Sequence, residues 1–201
     1  VTYNGVAMTS AIAQAGGTMN SSIWYLVAPA TGSNNVVVTW GGAMTSVTAI
    51  AETYTGVDQT TPIPVGGTAS ASGTSTEAAV TLAAGVGSGD RVVDSVAVES
   101  TTAPTVGTGQ TEQGNVTINT IRAAGSYELA TGASVVMSWT NANVQWAITC
   151  MAINPIAYTK TTATTIGMTG TPSAQFVAGD VIRINSELCL VVTVPTSPDV
   201  E

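Results

Sequence analysis

A carboxylate can act as general acid or base, a thiolate as nucleophile or metal ligand, and an exposed aromatic ring as a stacking platform for a sugar. The chain has each of these but contains no histidine. That excludes Ser-His-Asp and Cys-His catalysis, imidazole acid–base chemistry and His-based zinc sites. Two cysteines, Cys150 and Cys189, are too few for a cysteine-only zinc site within one chain. What remains is paired-carboxylate chemistry of the glycosidase kind, in which two acids flank the scissile bond. The candidates are Glu52, Asp58, Asp94, Glu99, Glu112, Glu128 and Glu187. Glu52 falls in the middle of Ala49–Tyr54, where an acid faces either a cleft or solvent. None of the acids clusters with aromatic subsites along the chain, so the expectation is a protein without catalytic residues, not an enzyme.

Calcium could use Asp58, Asp90 or Asp94 with loop carbonyls, but none has the dense Asp-x-Asp spacing of a calcium loop. Asp58, ahead of Pro62, is better read as a turn former whose carboxylate accepts backbone N–H groups. Asp90 and Asp180, each following a glycine, read as turn acids that open strands. No metal and no cofactor is therefore expected. Trp24, Trp40, Trp139 and Trp146 all sit in apolar strand patterns and are expected in the core. Tyr54, beside the Gly56-Val57-Asp58 turn, is the aromatic expected to be most exposed. Tyr54 and Asp58 are thus the candidate ligand-binding residues, with packing the competing role for Tyr54. The sequons Asn20-Ser21-Ser22 and Asn115-Val116-Thr117 are read as accidents of a Ser- and Thr-rich chain.

The elements that must carry these residues are strands. Charged residues make up 8% of the 201 residues and hydrophobic ones 44%, where an average soluble chain is about 25% charged. β-Branched runs and alternation predict strands at Val1–Met8, Ser22–Ala28, Asn35–Trp40, Ser46–Tyr54, Ala78–Leu82, Arg91–Glu99, Asn115–Ile121, Ser134–Trp139 and Val144–Asn154. Gly- and Asn-rich clusters separate them. Thr9–Ala15 reads as strand or loop, stopped by Gly16-Gly17. Val36–Trp40 is apolar on both parities, which predicts cover on both faces. Val144–Ile153 carries Val, Trp, Ile, Cys and Ala on even positions and is expected at the centre of a sheet. Many strands with such turns define an all-β fold, an antiparallel β-sandwich or jelly roll.

At Pro155 the texture becomes Thr-rich. The chain is expected to divide into a sandwich domain over 1–155 and a small β-rich C-terminal module or arm over 156–201. The latter is too small for a robust core of its own. Cys150 and Cys189 lie in apolar runs and read as buried thiols, a disulfide between them staying open. A net charge of −8 with four scattered basic residues, Arg91, Arg122, Lys160 and Arg183, argues against nucleic acid and anionic membrane surfaces. No apolar stretch reaches the length of a membrane span. The N-terminal Val1, without initiator Met or signal peptide, is expected to reflect processing or a longer parent chain.

Several segments resemble, in order, bacterial and phage surface or virion proteins of concanavalin-like or jelly-roll type. They are Val1–Met8, Ile23–Gly32, Asn35–Trp40, Tyr54-Thr55-Gly56-Val57-Asp58-Gln59-Thr60-Thr61-Pro62-Ile63, Ser134–Thr140 and Gln145–Ile148. Ala178–Glu187 is similar to small β-modules of phage structural proteins. The resemblance implies a non-enzymatic structural protein located in a virion or on an extracellular surface: a capsid decoration, head-fibre or tail-associated component. It would form homo-oligomers or join other structural proteins. Proteins of this pattern commonly have strands before the segment matching Val1–Met8 and after the tail module, so if the chain is the whole molecule an open sheet edge is expected where they would sit, available for pairing between chains. The alternative is a carbohydrate-binding adhesion module of a bacterial surface protein, with glycans as ligands.

Overall fold

A computed structural model describes residues 1–39 and 46–155, together with the backbone of 181–184 and 187–190. The chain separates into two compact units, Val1–Tyr158 and Thr159–Glu201. In the second unit, Val181–Ile184 and Glu187–Leu190 pair antiparallel as a hairpin. Trp40, the side chains of Cys189 and Glu187, and Asp180 lie outside the described residues.

The first unit is an antiparallel all-β sandwich. Its principal sheet is built from β6 (Thr68–Leu82), β11 (Val135–Ile153), β7 (Arg91–Val98), β10 (Ile121–Leu129) and β9 (Thr111–Ile118), in that order, with the short β8 (Thr105–Val106) pairing β11. The two predicted strands Ser134–Trp139 and Val144–Asn154 are one strand, β11, whose register with β6 breaks between Thr140 and Val144. At that irregularity the ribbon of β6 and β11 folds over itself. A straight strand from Trp139 to Cys150 would be about 36 Å long. Yet Cys150 is the register partner of Asp94 on β7, and the Trp139 indole lies 2.7 Å from the Asp94 carboxylate. Asn141 and Trp146 brace the bend by donating to the Ser75 carbonyl (2.8 Å) and hydroxyl (2.9 Å).

The fold-over encloses the core. Ala78, Val80, Leu82, Val135, Met137 and Trp139 come from one half of the ribbon, facing Val92, Val96, Val98, Trp146, Ile148 and Cys150 from the other half and β7. The even-numbered face of β11 after the bend points into this core, and β11 lies between β6 and β7, as its alternation predicts. Burying one such aliphatic side chain stabilises by about 1.5–3 kcal/mol. The opposite face of the sheet is covered by the hairpin β3 (Thr9–Gly16) and β4 (Met19–Tyr25). Ser21 fixes it by donating to the Ser95 carbonyl at 2.8 Å and lying 2.9 Å from the Thr149 hydroxyl.

Four sequence expectations fail for identifiable reasons. Val1–Met8 is a tight hairpin, β1 (Thr2–Tyr3) and β2 (Val6–Ala7). Its turn residues Asn4 and Gly5 have φ of 48° and 76°, the two left-handed positions of a type I′ turn. The next strand, β5 (Val36–Val37), pairs with β1, and both its valines are exposed rather than covered on two faces. Ser46–Tyr54 forms no strand. It is an extended strap lying on the sheet, with the Ile50 side chain over the adjacent Gly114 and Gly125. Trp24 is 38% exposed, in contrast to the buried Trp139 and Trp146.

Candidate functional site

Tyr54 ends the strap and Asp58 follows just beyond it, and each has its own set of partners. The strap is tied at one end by Asn119 Nδ2 donating to the Ser46 hydroxyl at 2.8 Å. At the other end Val57 bridges Pro155, and the Asp58 N–H donates to the Asn154 carbonyl at 3.0 Å. Asp58 Oδ1 accepts from the Thr60 and Thr61 N–H groups at 2.7 and 3.0 Å. Those backbone donors, Thr61 first, hold its carboxyl below the usual aspartate range. Asp58 is therefore the turn former its position suggests.

Tyr54 is half-buried and packs with Val93, Met151 and Ile153. Its hydroxyl donates to Glu52, and burial together with that carboxylate raises the phenol well above its ordinary pKa. The Arg91 Cζ lies 5.3 Å from the centroid of its ring and 4.1 Å from that of Tyr127. Part of the Tyr54 ring is thus already used within the chain.

Among the acids weighed for catalysis, Asp94 has the most unusual setting. It is 7% exposed and points into the sandwich from β7. Oδ1 accepts from the Ser126 N–H (2.7 Å) and hydroxyl (2.9 Å). Oδ2 accepts from Trp139 Nε1 at 2.7 Å and Gln110 Nε2 at 3.4 Å. Gln110 also donates to the Ser126 hydroxyl (2.7 Å) and accepts from the Ser138 N–H (2.7 Å). Burial pushes the Asp94 carboxyl up to about 7, against the lowering effect of its donors. Both oxygens are filled by protein groups, so the geometry is that of a polar pin between layers. Sequence reasoning had Asp94 among the acids but gave no sign that Trp139, Ser126 and Gln110 converge on it.

Two further features bear on function. Cys150 is a buried free thiol, its pKa pushed up to about 12 by burial. Among the described residues, β6 and β9 end the principal sheet, each paired on one side only. On β9 the register shifts next to Glu112, and the stretch from Gly114 to Ile118 then runs regularly without a charge or a proline. Val116 and Ile118 on that stretch are 43% and 37% exposed. Edge strands of monomeric proteins are commonly blunted by lysine, proline or a bulge; this segment carries none of them.

Among the described residues, no three His, Cys, Asp or Glu side chains gather where they could hold a metal, and no helix is long and apolar enough to cross a membrane. No family model matches the chain, and no curated protein or solved structure matches it.

Proposed function

We propose that the chain is a non-catalytic structural protein that works by assembling with copies of itself or with other structural chains through sheet edges. The observation that carries this reading is the regular, uncharged stretch Gly114–Ile118 on β9, whose outer side pairs with no strand among the described residues. Pairing it with another strand would satisfy its outward main-chain groups and cover Val116 and Ile118. The exposed valines of the small β2-β1-β5 sheet and the low charge of the chain support the same reading. The ordered resemblance of residues 1–155 to virion and surface proteins makes a virion component, such as a capsid decoration, head fibre or tail-associated protein, the preferred setting. Sedimentation of the full chain tests it: concentration-dependent oligomers support assembly, and a monomer at high concentration contradicts it.

A carbohydrate-binding adhesion module is the second reading, and exposed Trp24 favours it more than Tyr54 does. A saturable glycan that binds the chain and is lost on Trp24→Ala would put that reading first.

A further inference from the structure

Arg91 and Arg122 stand on the neighbouring strands β7 and β10, but their guanidinium groups are used differently. Arg122 is satisfied internally: Nε donates to Asn115 Oδ1, and Nη1 donates to the Thr101 carbonyl at 2.9 Å. Arg91 is partly exposed and rests against the Tyr127 and Tyr54 rings, yet its guanidinium makes no hydrogen bond and no ion pair among the described residues. Of the nearby Glu52 carboxylate, Oε2 accepts from the Tyr54 hydroxyl. Across the sheet, the register partners of Arg91 are Ile153 and Leu129, the latter 54% exposed.

A guanidinium held by ring faces keeps its in-plane N–H donors, whose fork matches the two oxygens of a carboxylate. Two aromatic rings limit the rotamers it must lose on binding, which lowers the entropic cost of that contact. Arginine and tyrosine are also among the residues enriched at interface anchors.

We propose that Arg91 is a carboxylate-binding site, oriented by Tyr127 and Tyr54, and that its ligand is an aspartate or glutamate side chain of a second copy of this chain. Twelve acidic residues against four basic ones means that a second copy offers carboxylates in excess. The site rests on the geometry above; the choice of a second copy as the source rests on the assembly reading.

The test uses the full chain labelled with nitrogen-15. The Arg91 Nε–Hε resonance, assigned by its loss in Arg91→Lys, is followed while acetate is added, with sodium chloride at equal ionic strength as control. A saturable shift with acetate, absent with chloride and weakened in Tyr127→Leu, is expected. Equal shifts with both salts would overturn the site, as would an acetate response that appears only in Glu52→Gln, since Glu52 would then be the resident partner. Mass photometry of Arg91→Lys and Arg91→Gln tests the source, with an assembly constant weakened by about tenfold expected. Acetate binding with unaltered assembly, or with a wild-type chain that stays monomeric, overturns the second copy as ligand and assigns the site to a soluble carboxylate such as an acidic sugar.

Discussion

The Trp139 indole N–H donates to Asp94 Oδ2 at 2.7 Å, joining the first half of the folded-over ribbon to the strand paired with its second half, through the core. Trp139 belongs to β11 before its bend, and Asp94 belongs to β7, which pairs with β11 after it. A buried carboxyl met by four donors is stable only while they stay in place. At about pH 5, where the carboxyl holds its proton, Asp94→Asn still puts an amide N–H where an oxygen accepts from Trp139 or Ser126, and should cost about 2–4 kcal/mol, a cost that shrinks as pH rises. Trp139→Phe removes a donor and should cost about 1–3 kcal/mol. Urea unfolding followed by tryptophan fluorescence and circular dichroism measures both.

The same carboxyl predicts a pH dependence. In the folded chain burial lets Asp94 keep its proton up to about pH 7, whereas an ordinary aspartate loses it near 3.8. Between those values the folded state binds more protons than the unfolded one, so the Asp94 contribution to stability falls as pH rises and levels off above pH 7. The drop should be on the order of 4 kcal/mol, and Asp94→Asn should flatten it. Urea midpoints from pH 4 to 8, compared between the two chains, isolate this term from the other acids.

Gly16 ends β3 where the hairpin lies tightly against the principal sheet. A Cβ there would lie 2.6 Å from the Ser72 Cβ and 2.8 Å from the Trp146 carbonyl oxygen. Because one of these is backbone, Gly16→Ala should lift the hairpin edge and destabilise by about 1–3 kcal/mol. Hydrogen exchange should show faster exchange in β3 and β4, with β7 and β10 little affected. Unchanged protection in the hairpin would mean that the sheet accommodates the methyl group.

Cys150 should resist alkylation in the folded chain, being both buried and held as a thiol. Iodoacetamide treatment followed by peptide mass spectrometry should find Cys150 modified only after denaturant is added. Rapid modification of the native chain would show that the core opens far more easily than its packing implies.

Much of this fold could be read from the chain, and the failures have physical causes. Val144–Ile153 announced its central position because Trp146, Ile148, Cys150 and Ala152 share one parity and one core. Arg91–Val98 was legible in the same way. The first ten residues of β6, by contrast, are Thr, Ala, Ser, Gly and Glu. They lack large apolar alternation because one face meets the hairpin through small and polar side chains, as in Gln14 Nε2 donating to the Ser72 hydroxyl at 3.2 Å. β10 lacks an apolar alternation because one face carries Gly125 to admit Ile50 and the other Ser126 to meet Asp94. At the candidate sites, the turn role of Asp58 was local and therefore visible. The pairing of Tyr54 with Arg91, and of Asp94 with Trp139, spans distant segments and has no local pattern.

The measurement that bears most directly on the central claim is sedimentation velocity of the full chain over a wide concentration range, run beside Val116→Lys. A lysine on the open edge is exposed in the monomer and opposes edge pairing, so it should leave the fold intact. Oligomers in the wild-type chain that are lost or strongly weakened in Val116→Lys are the predicted result. A wild-type chain that remains monomeric throughout, or oligomers untouched by the lysine, would contradict assembly through β9.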